Sequence, residues 1–251
     1  MRKGGTGAEI DRRLSELSGR AADAGILLDF DGTLSDIVSR PHLARLREGA
    51  ARELARLARG YALVAVVSGR PGDELPRLVG VEGLLYVGGY GVEGVGPLSE
   101  KVLAEMEVLA ASVPGAWVEP KGAAATIHVR EAPDPAAAMT TVGAALRELV
   151  AARGLEVIDG KRALEVVPAG RPRKGGVVTR LVAERGLTGA LYAGDDVADA
   201  EAFDALDTLE GRGVLGIRVA VVGPETPDEL IGRSDLSVEG PAGLVELLRD
   251  L

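Results

Sequence analysis

The stretch that decides the fold is Gly25-Ile26-Leu27-Leu28-Asp29-Phe30-Asp31-Gly32-Thr33-Leu34. Its apolar run, Ile26–Leu28, is typical of a strand that is buried on both faces of a parallel sheet. Two carboxylates, Asp29 and Asp31, follow this run, and Gly32 breaks the strand into a loop. Acidic side chains are seldom buried unless they are paired or bind a metal, and open parallel sheets bind ligands at the carboxyl ends of their strands. The spacing alone leaves two interpretations open, an ordinary loop or a cation site.

Composition limits the classes of protein to which the chain can belong. The 251 residues suffice for one core, or for one domain with a smaller insert, and the 46% hydrophobic content predicts a globular chain. The net charge of −9 argues against nucleic acid or an anionic membrane as a partner. The absence of cysteine excludes disulfides and thiolate metal sites, and two histidines make a multi-histidine site unexpected. The apolar runs are shorter than the roughly 18 residues of a membrane span. No apolar segment follows Arg2 and Lys3 as in a signal peptide, so we expect a cytoplasmic protein.

Alternating strands and helices predict a parallel sheet in the N-terminal and C-terminal parts of the chain. This alternation indicates right-handed βαβ units. The predicted fold class is α/β, a doubly wound, Rossmann-like parallel sheet whose strands end in polar or glycine-rich residues. Strands are expected at 26–29, 62–67, 84–87, 190–193, 217–222 and 236–238, and helices at 8–19, 47–59, 72–79, 174–185, 197–209 and 241–250.

The pattern changes between residues 96 and 170. Strand-like segments there come in close pairs around glycine-containing turns, which favours antiparallel pairing. We therefore predict an α+β cap domain at 96–170, inserted into a core domain formed by residues 1–95 and 171–251. Its helices are expected at 98–112 and 135–152, and its strands within 116–129 and at 155–158 and 162–167.

Two further constellations carry unusual charge at the ends of elements. Lys174 begins a predicted helix, where a cation opposes the helix dipole; it is either a solvated lysine or a ligand of an anion bound there. Asp195, Asp196 and Asp199 crowd the start of the helix at 197–209. One aspartate is a good helix cap, but three repel one another unless they share a cation.

The motifs together resemble those of the haloacid dehalogenase superfamily of phosphotransferases. The resemblance implies that Asp29 is the nucleophile that becomes an aspartyl phosphate, and that Asp31 is the general acid and base. It implies that Ser68 and Lys174, in the second and third motifs, hold the phosphoryl oxygens. In the fourth motif it implies Asp195 as a Mg²⁺ ligand. The implied metal site comprises Asp29, the backbone carbonyl of Asp31, and Asp195, with Asp196 and Asp199 orienting bound waters.

Within that superfamily, several segments resemble the trehalose-6-phosphate phosphatase family. The resemblance rests on Ser68-Gly69-Arg70, on Lys121-Gly122 followed by His128-Val129-Arg130, and on Leu164-Glu165-Val166. It implies that the substrate is bound by Gly69, Arg70, Lys121, His128, Arg130 and Glu165. The chain departs from the family pattern at Gly89-Tyr90-Gly91, where Asn-His-Gly is usual, and at Val167, where arginine is usual.

The predicted function is therefore a Mg²⁺-dependent phosphatase that hydrolyses a sugar phosphate, with trehalose 6-phosphate as the expected substrate. We expect a monomer or weak dimer that binds neither nucleic acid nor membranes. One alternative is a phosphatase of the same fold for a mannosyl- or glucosyl-phosphoglycerate or for sucrose 6-phosphate. A second, from a different class, is a phospho-accepting receiver or binding module without turnover.

Overall fold

A computed structural model describes residues 7–89, 96–170 and 173–251 of the chain. These residues divide into two compact units. The first unit comprises residues 7–89 and 173–251, and the second comprises residues 96–170.

Strands and helices are numbered here in chain order. The described strands are β1 Ala24–Leu28, β2 Leu63–Val67, β3 Leu85–Val87, β4 Trp117–Lys121, β5 Ala124–His128, β6 Leu155–Gly160, β7 Ala163–Pro168, β8 Gly189–Gly194, β9 Leu215–Val222 and β10 Leu236–Glu239. The described α-helices are α1 Gly7–Gly19, α2 Ala50–Gly60, α3 Leu75–Val79, α4 Glu100–Ala111, α5 Pro135–Val150, α6 Lys174–Arg185, α7 Val197–Glu210, α8 Asp228–Arg233 and α9 Gly240–Asp250.

The first unit is built on a six-stranded parallel sheet with the order β10-β9-β8-β1-β2-β3. Strands β2 and β3 lie on one side of β1 in the sheet. Strands β8, β9 and β10, which come later in the chain, lie on its other side. The strand order therefore reverses at β1, and open α/β sheets bind ligands at such a switch point. The residues that follow β1, β2 and β8 all lie at this carboxyl edge.

Both faces of the parallel sheet are covered by helices. Ile26 and Leu28 of β1 belong to one apolar cluster, which includes residues of α1, α2 and α9. Leu27 belongs to the opposite cluster, which includes residues of α6 and α7. All three side chains are fully buried. This explains the unbroken apolar run at Ile26–Leu28, since a strand between two helical layers has no solvent face.

The second unit is a four-stranded antiparallel sheet with the order β4-β5-β7-β6. One face carries Ile127, Leu164 and Val166, which are buried in one cluster with residues of α4 and α5. Alternation along the strands places the other side chains on the opposite face. That opposite face carries Lys121, His128 and Glu165, three of the residues that the family resemblance implies to bind the substrate.

The predicted fold class is confirmed, and most element boundaries agree with the structure within a few residues. Helix α6 begins and ends at the predicted residues. Helix α2 begins at Ala50 rather than at 47, because Gly49 has φ +86 and this left-handed conformation cannot continue a helix. Helix α8 is absent from the prediction. Within the described residues, no helix combines the length and apolar composition that a membrane span requires.

Candidate active site

Three carboxylates meet at the carboxyl ends of β1 and β8. Oxygen atoms of Asp29, Asp195 and Asp199 all lie within 4.8 Å of one another. These residues are only 5%, 2% and 0% exposed. The Lys174 Nζ donates to Asp29 Oδ1 and to Asp199 Oδ1, at 2.6 Å each. The cluster thus places three carboxylates around one ammonium group. An oxygen-rich site with this charge suits a hard divalent cation.

Burial raises the pKa of the Asp29 carboxyl well above its usual range. The Lys174 ammonium lowers this pKa, but the neighbouring Asp199 and Asp195 carboxylates raise it again. Burial and like charges both disfavour the ionised form of a carboxyl group. A cation among these three aspartates would therefore favour the ionised form of Asp29.

Asp199 is surrounded by four hydrogen-bond donors. Its Oδ1 accepts from Lys174 and, at 2.7 Å, from the Tyr192 hydroxyl. Its Oδ2 accepts the backbone N–H groups of Asp195 and Asp196, each at 2.9 Å. A carboxylate has about four acceptor positions, so these donors occupy the capacity of Asp199. The geometry favours Asp199 as the residue that holds Lys174 and the loop after β8 in place.

Tyr192 is a residue that the sequence analysis missed. It is fully buried in β8, and burial, followed by the Asp199 charge, raises the pKa of its hydroxyl well above the usual value. The hydroxyl therefore stays protonated and donates to Asp199. The sequence could have indicated this role, since Tyr192 lies within an apolar strand two positions before Gly194. A tyrosine hydroxyl buried in such a strand usually has a hydrogen-bond partner.

Two glycines permit the close approach of these segments. A Cβ atom on Gly32 would lie 1.9 Å from Asp195 Oδ2, and Gly32 has φ +85. A Cβ atom on Gly194 would lie 2.2 Å from Asp199 Cγ. Any side chain at either position would displace an aspartate, which explains both glycines in physical terms.

Ser68 directly follows β2 and is 2% exposed. Because Leu28 pairs with Val66, Ser68 lies one residue beyond the position opposite Asp29. Its hydroxyl oxygen accepts the backbone N–H of Arg70 at 3.2 Å. This contact holds the hydroxyl at the edge of the sheet where β1 also ends.

Asp31 and Asp196 have side-chain partners of their own. Arg70 donates from Nε and Nη2 to the two carboxylate oxygens of Asp31, at 2.7 Å each. Asp196 is the N-cap of α7, where it forms a capping box with Asp199 and accepts the Val197 N–H at 2.6 Å. The structure thus places Arg70, predicted from the family resemblance to bind substrate, against the predicted acid and base.

The polar face of the second unit brings together three of the predicted sugar-binding residues. Lys121 Nζ lies 3.4 Å from a Glu119 oxygen and 3.6 Å from a Glu165 oxygen. His128 Nε2 lies 2.7 Å from Glu119 Oε2. The fourth predicted residue, Arg130, donates to the carbonyl of Lys161 in the turn between β6 and β7, at 3.0 Å.

Glu119 and Trp117 are the residues of this face that the sequence analysis missed. Burial acts to raise the pKa of Glu119, but the His128 hydrogen bond and the Lys121 charge outweigh it, so this pKa is lowered. The Trp117 ring stacks on the His128 ring, with centroids 4.1 Å apart and 16° between planes. Alternation from Lys121 back along β4 was the signal that could have found both residues.

The sequence analysis noted that Gly89-Tyr90-Gly91 stands where the family usually has Asn-His-Gly. Tyr90 and Gly91 lie outside the described residues.

Comparison with known proteins identifies the family of the chain. A family model described as Trehalose-phosphatase matches residues 27–228. The chain belongs to the trehalose-phosphatase family. The resemblance stated from the motifs is thereby confirmed.

Two curated relatives and one solved structure illustrate the similarity. The trehalose-phosphate phosphatase of Mycobacterium avium (strain 104) is 33% identical over 243 residues, covering 84% of this chain and 61% of that protein. A Mycobacterium tuberculosis protein named an uncharacterized glycosyl hydrolase is 35% identical over 213 residues, covering 76% of this chain and 16% of that protein. The chain thus spans less than two thirds of the length of either relative.

The solved structure is that of the C-terminal domain of C. albicans trehalose-6-phosphate phosphatase. It matches with a TM-score of 0.81 at 24% identity, covering 95% of this chain and 94% of that chain. At this identity, the match shows that the two chains share a fold.

Proposed function

We propose that this chain is a Mg²⁺-dependent phosphatase that hydrolyses a sugar phosphate, with trehalose 6-phosphate as the expected substrate. The observation that carries the proposal is the buried cluster of Asp29, Asp195 and Asp199 around Lys174. In this chain of the trehalose-phosphatase family, Asp29 directly follows β1, where the family resemblance implies the nucleophile. The arrangement supplies a carboxylate, a cation site and an ammonium group at one edge of the sheet.

The proposed metal ligands are Asp29, Asp195 and the backbone carbonyl of Asp31. Oxygen donors of this kind fit Mg²⁺, which keeps several waters in its octahedral shell. Asp196 is proposed to orient those waters directly. Asp199, whose acceptor positions are already occupied, is proposed to do so by holding Lys174 and the loop after β8 in place. When bound, Mg²⁺ neutralises the charge that would otherwise keep a carboxylate and a phosphate dianion apart.

The proposed reaction has two displacements at phosphorus. In the first, an Asp29 carboxylate oxygen bonds to phosphorus, the bond from phosphorus to the sugar oxygen breaks, and Asp31 gives its proton to that oxygen. In the second, Asp31 takes a proton from water as the water oxygen bonds to phosphorus. The bond between Asp29 and phosphorus then breaks, which releases inorganic phosphate and restores both carboxyl groups.

Residues near the strand ends are proposed to hold the transferred group. The Ser68 hydroxyl and the Gly69 backbone N–H can each donate to a phosphoryl oxygen. The Lys174 ammonium supplies a positive charge next to Asp29. All three groups offer donors to oxygens that carry negative charge throughout the reaction.

The polar face of the second unit is proposed to bind the sugar. Glu165 and Glu119 accept hydrogen bonds from hydroxyl groups, while Lys121 and Arg130 donate them. His128 is held by Glu119 and Trp117, so its ring is oriented before substrate arrives. A site built from such groups discriminates strongly, because a wrong substrate leaves buried polar groups unpaired.

The test is phosphate release from a panel of sugar phosphates, measured with Mg²⁺ and with excess EDTA. We expect the highest kcat/KM for trehalose 6-phosphate and loss of turnover in EDTA that added Mg²⁺ reverses. Preference for sucrose 6-phosphate or a glycosyl phosphoglycerate would show that the chain is a phosphatase of the same fold for a different sugar phosphate. A single phosphorylation without sustained turnover would favour a phospho-accepting receiver module. Full activity in excess EDTA would show that catalysis does not depend on Mg²⁺.

A further inference from the structure

We infer that Arg70 is a positioning residue that orients Asp31, rather than a residue that binds the sugar. This inference rests on the proposed function, in which Asp31 is the acid and base. Its consequence is that Arg70 acts on proton transfer to the leaving group and not on recognition of the sugar.

The geometry of the pair is that of a fork. Nε of Arg70 donates to Asp31 Oδ2 and Nη2 donates to Asp31 Oδ1, both at 2.7 Å. Two parallel, charge-assisted hydrogen bonds fix the plane of a carboxylate as well as its position. A single ammonium group cannot do this, because it acts as a point charge without a fixed plane. The two bonds from Arg70 use one acceptor position on each Asp31 oxygen, so the second position on an oxygen remains for the proton that Asp31 takes up and gives to the leaving group.

Arg70 is itself held within the first unit. It is 6% exposed, and its guanidinium carbon lies 5.3 Å from the centre of the Phe30 ring. Nη2 also donates to the Pro41 carbonyl at 3.0 Å, and Nη1 lies 3.5 Å from Glu74. The Nε and Nη2 donors of Arg70 are therefore engaged with protein groups, and Nη1 faces Glu74.

Asp31 needs such support more than Asp29 does. The Asp31 side chain is 38% exposed, whereas that of Asp29 is 7% exposed. Asp29 is also tied to the sheet, since its backbone N–H donates to the Ala193 carbonyl at 2.9 Å. A half-exposed carboxylate samples several rotamers. A general acid works only when it lies within hydrogen-bond reach of the leaving oxygen.

The decisive experiment uses substrates without a sugar. The kcat/KM values for 2,4-dinitrophenyl, 4-nitrophenyl and phenyl phosphate report the first displacement with leaving groups of increasing basicity. A weakly basic leaving group departs without a proton, whereas a strongly basic one depends on the acid. For Arg70→Ala we expect a loss that grows along this series, from a few-fold to the order of 10²-fold, the size of a general-acid contribution.

Further variants separate the inference from the proposed function. Asp31→Asn should show the same trend, Arg70→Lys a weaker one, and Arg77→Ala none. Arg77, in the nearby helix α3, is a matched control, because it forms an exposed ion pair with Asp73 at 2.8 Å. A low, non-denaturing concentration of guanidinium ion should restore part of the loss in Arg70→Ala but not in Asp31→Asn. If Arg70→Ala fails to fold, Arg70→Lys carries the comparison.

Two results would overturn the inference in distinguishable ways. In the first, Asp31→Asn still shows its trend, but Arg70→Ala loses activity equally on all three aryl phosphates or raises only the KM for trehalose 6-phosphate. Arg70 would then be a substrate-binding residue. If Asp31→Asn shows no trend with leaving group, the proposed role of Asp31 itself is wrong.

Discussion

At the scale of one residue, Asp29, the proposed nucleophile, is a carboxyl group whose burial opposes the ionised form that the proposed mechanism needs. Burial and two neighbouring carboxylates raise its pKa, while Lys174 lowers it. A buried charge is tolerated only with a partner. Asp29 has one, at 2.6 Å, but Lys174 divides its donors between Asp29 and Asp199.

Asp29→Asn is expected to abolish turnover without unfolding the chain. Asparagine keeps the shape of the side chain but cannot form the covalent intermediate, so activity should fall by at least ~10³. The melting temperature should hold or rise, because the substitution removes one of three crowded negative charges. Both quantities are measured on the purified variant, by phosphate release and by thermal unfolding.

Asp73→Asn is the control for this comparison. Asp73 is an exposed partner of Arg77, and its loss should change neither turnover nor the melting temperature by much, since exposed ion pairs contribute little. Near-normal turnover in Asp29→Asn would mean that the covalent mechanism is wrong.

At the scale of elements, the two faces of the antiparallel sheet in the second unit differ in character. One face packs into the apolar core, and the other carries the polar side chains that are proposed to bind the sugar. Glu165 lies in register with Thr126, and Thr126 with Glu119, across three adjacent strands. The residues that alternate with them in β5 and β7, Ile127 and Leu164, are fully buried in the apolar cluster. Period-two alternation thus builds a polar surface without weakening the core beneath it.

Glu165→Ala is expected to cost activity on the sugar phosphate alone. The loss of a hydrogen bond to a charged acceptor costs about 2–3 kcal/mol in transition-state binding, or on the order of 10²-fold in kcat/KM for trehalose 6-phosphate. An aryl phosphate offers no sugar hydroxyl groups, so its hydrolysis should change little. Lys121→Ala should show the same asymmetry, because Lys121 lies 3.6 Å from Glu165.

Asp159→Ala serves as the control on the same sheet. Asp159 in β6 pairs with Leu164 in register and forms an exposed ion pair with Arg147 of α5, on the helix-covered face. This variant should affect neither substrate. Equal losses on both substrates in Glu165→Ala, or no loss on either, would remove the support for sugar binding by this face.

At the scale of the whole molecule, charge at the site couples ligand binding to stability. The chain carries a net charge of −9, and three of the carboxylates that contribute to it lie together in the buried site. A cation that binds only the folded chain raises the free energy of unfolding in proportion to the logarithm of its concentration over its Kd. A bound cation therefore adds to the stability that the contacts within the site already supply.

Mg²⁺ is expected to raise the melting temperature of the chelated protein. At a concentration about 100 times its Kd, the stabilisation is about 2.7 kcal/mol, which corresponds to a shift on the order of 5 °C for a chain of this length. Ca²⁺ should also stabilise the chain but not support turnover, because its looser shell misplaces the reacting groups. Thermal unfolding in EDTA, with and without each ion, measures both effects.

Asp195→Ala tests whether this shift arises at the proposed site. The variant should unfold in EDTA at or above the temperature of the unsubstituted chain, since one like charge is gone, and should respond little to Mg²⁺. An unchanged response to Mg²⁺ in Asp195→Ala would mean that the cation binds at another site. No response in the unsubstituted chain would mean that the folded chain does not bind Mg²⁺.

Helices α6 and α8 show why some elements were predictable and others were not. Helix α6 was predicted to the residue because Lys174 begins twelve residues of regular pattern that end before Gly186, which has φ +60. Helix α8 has only six residues, too few to show a period. Its Leu230 is 1% exposed, so packing against the core holds this short helix in place.

The sequence by itself determined the parallel sheet, its apolar strands and the polar residues at their ends, because these depend on local periodicity and chain order. The resemblance of the motifs to a known superfamily likewise implied that Asp29, Lys174 and Asp195 belong to one site, and the structure brings these three side chains together. Only the tertiary structure decided that Arg70 holds Asp31, that Tyr192 holds Asp199 and that Glu119 joins His128 to Lys121. Such contacts join residues whose positions depend on strand pairing and helix packing, and local sequence pattern contains no record of those distances.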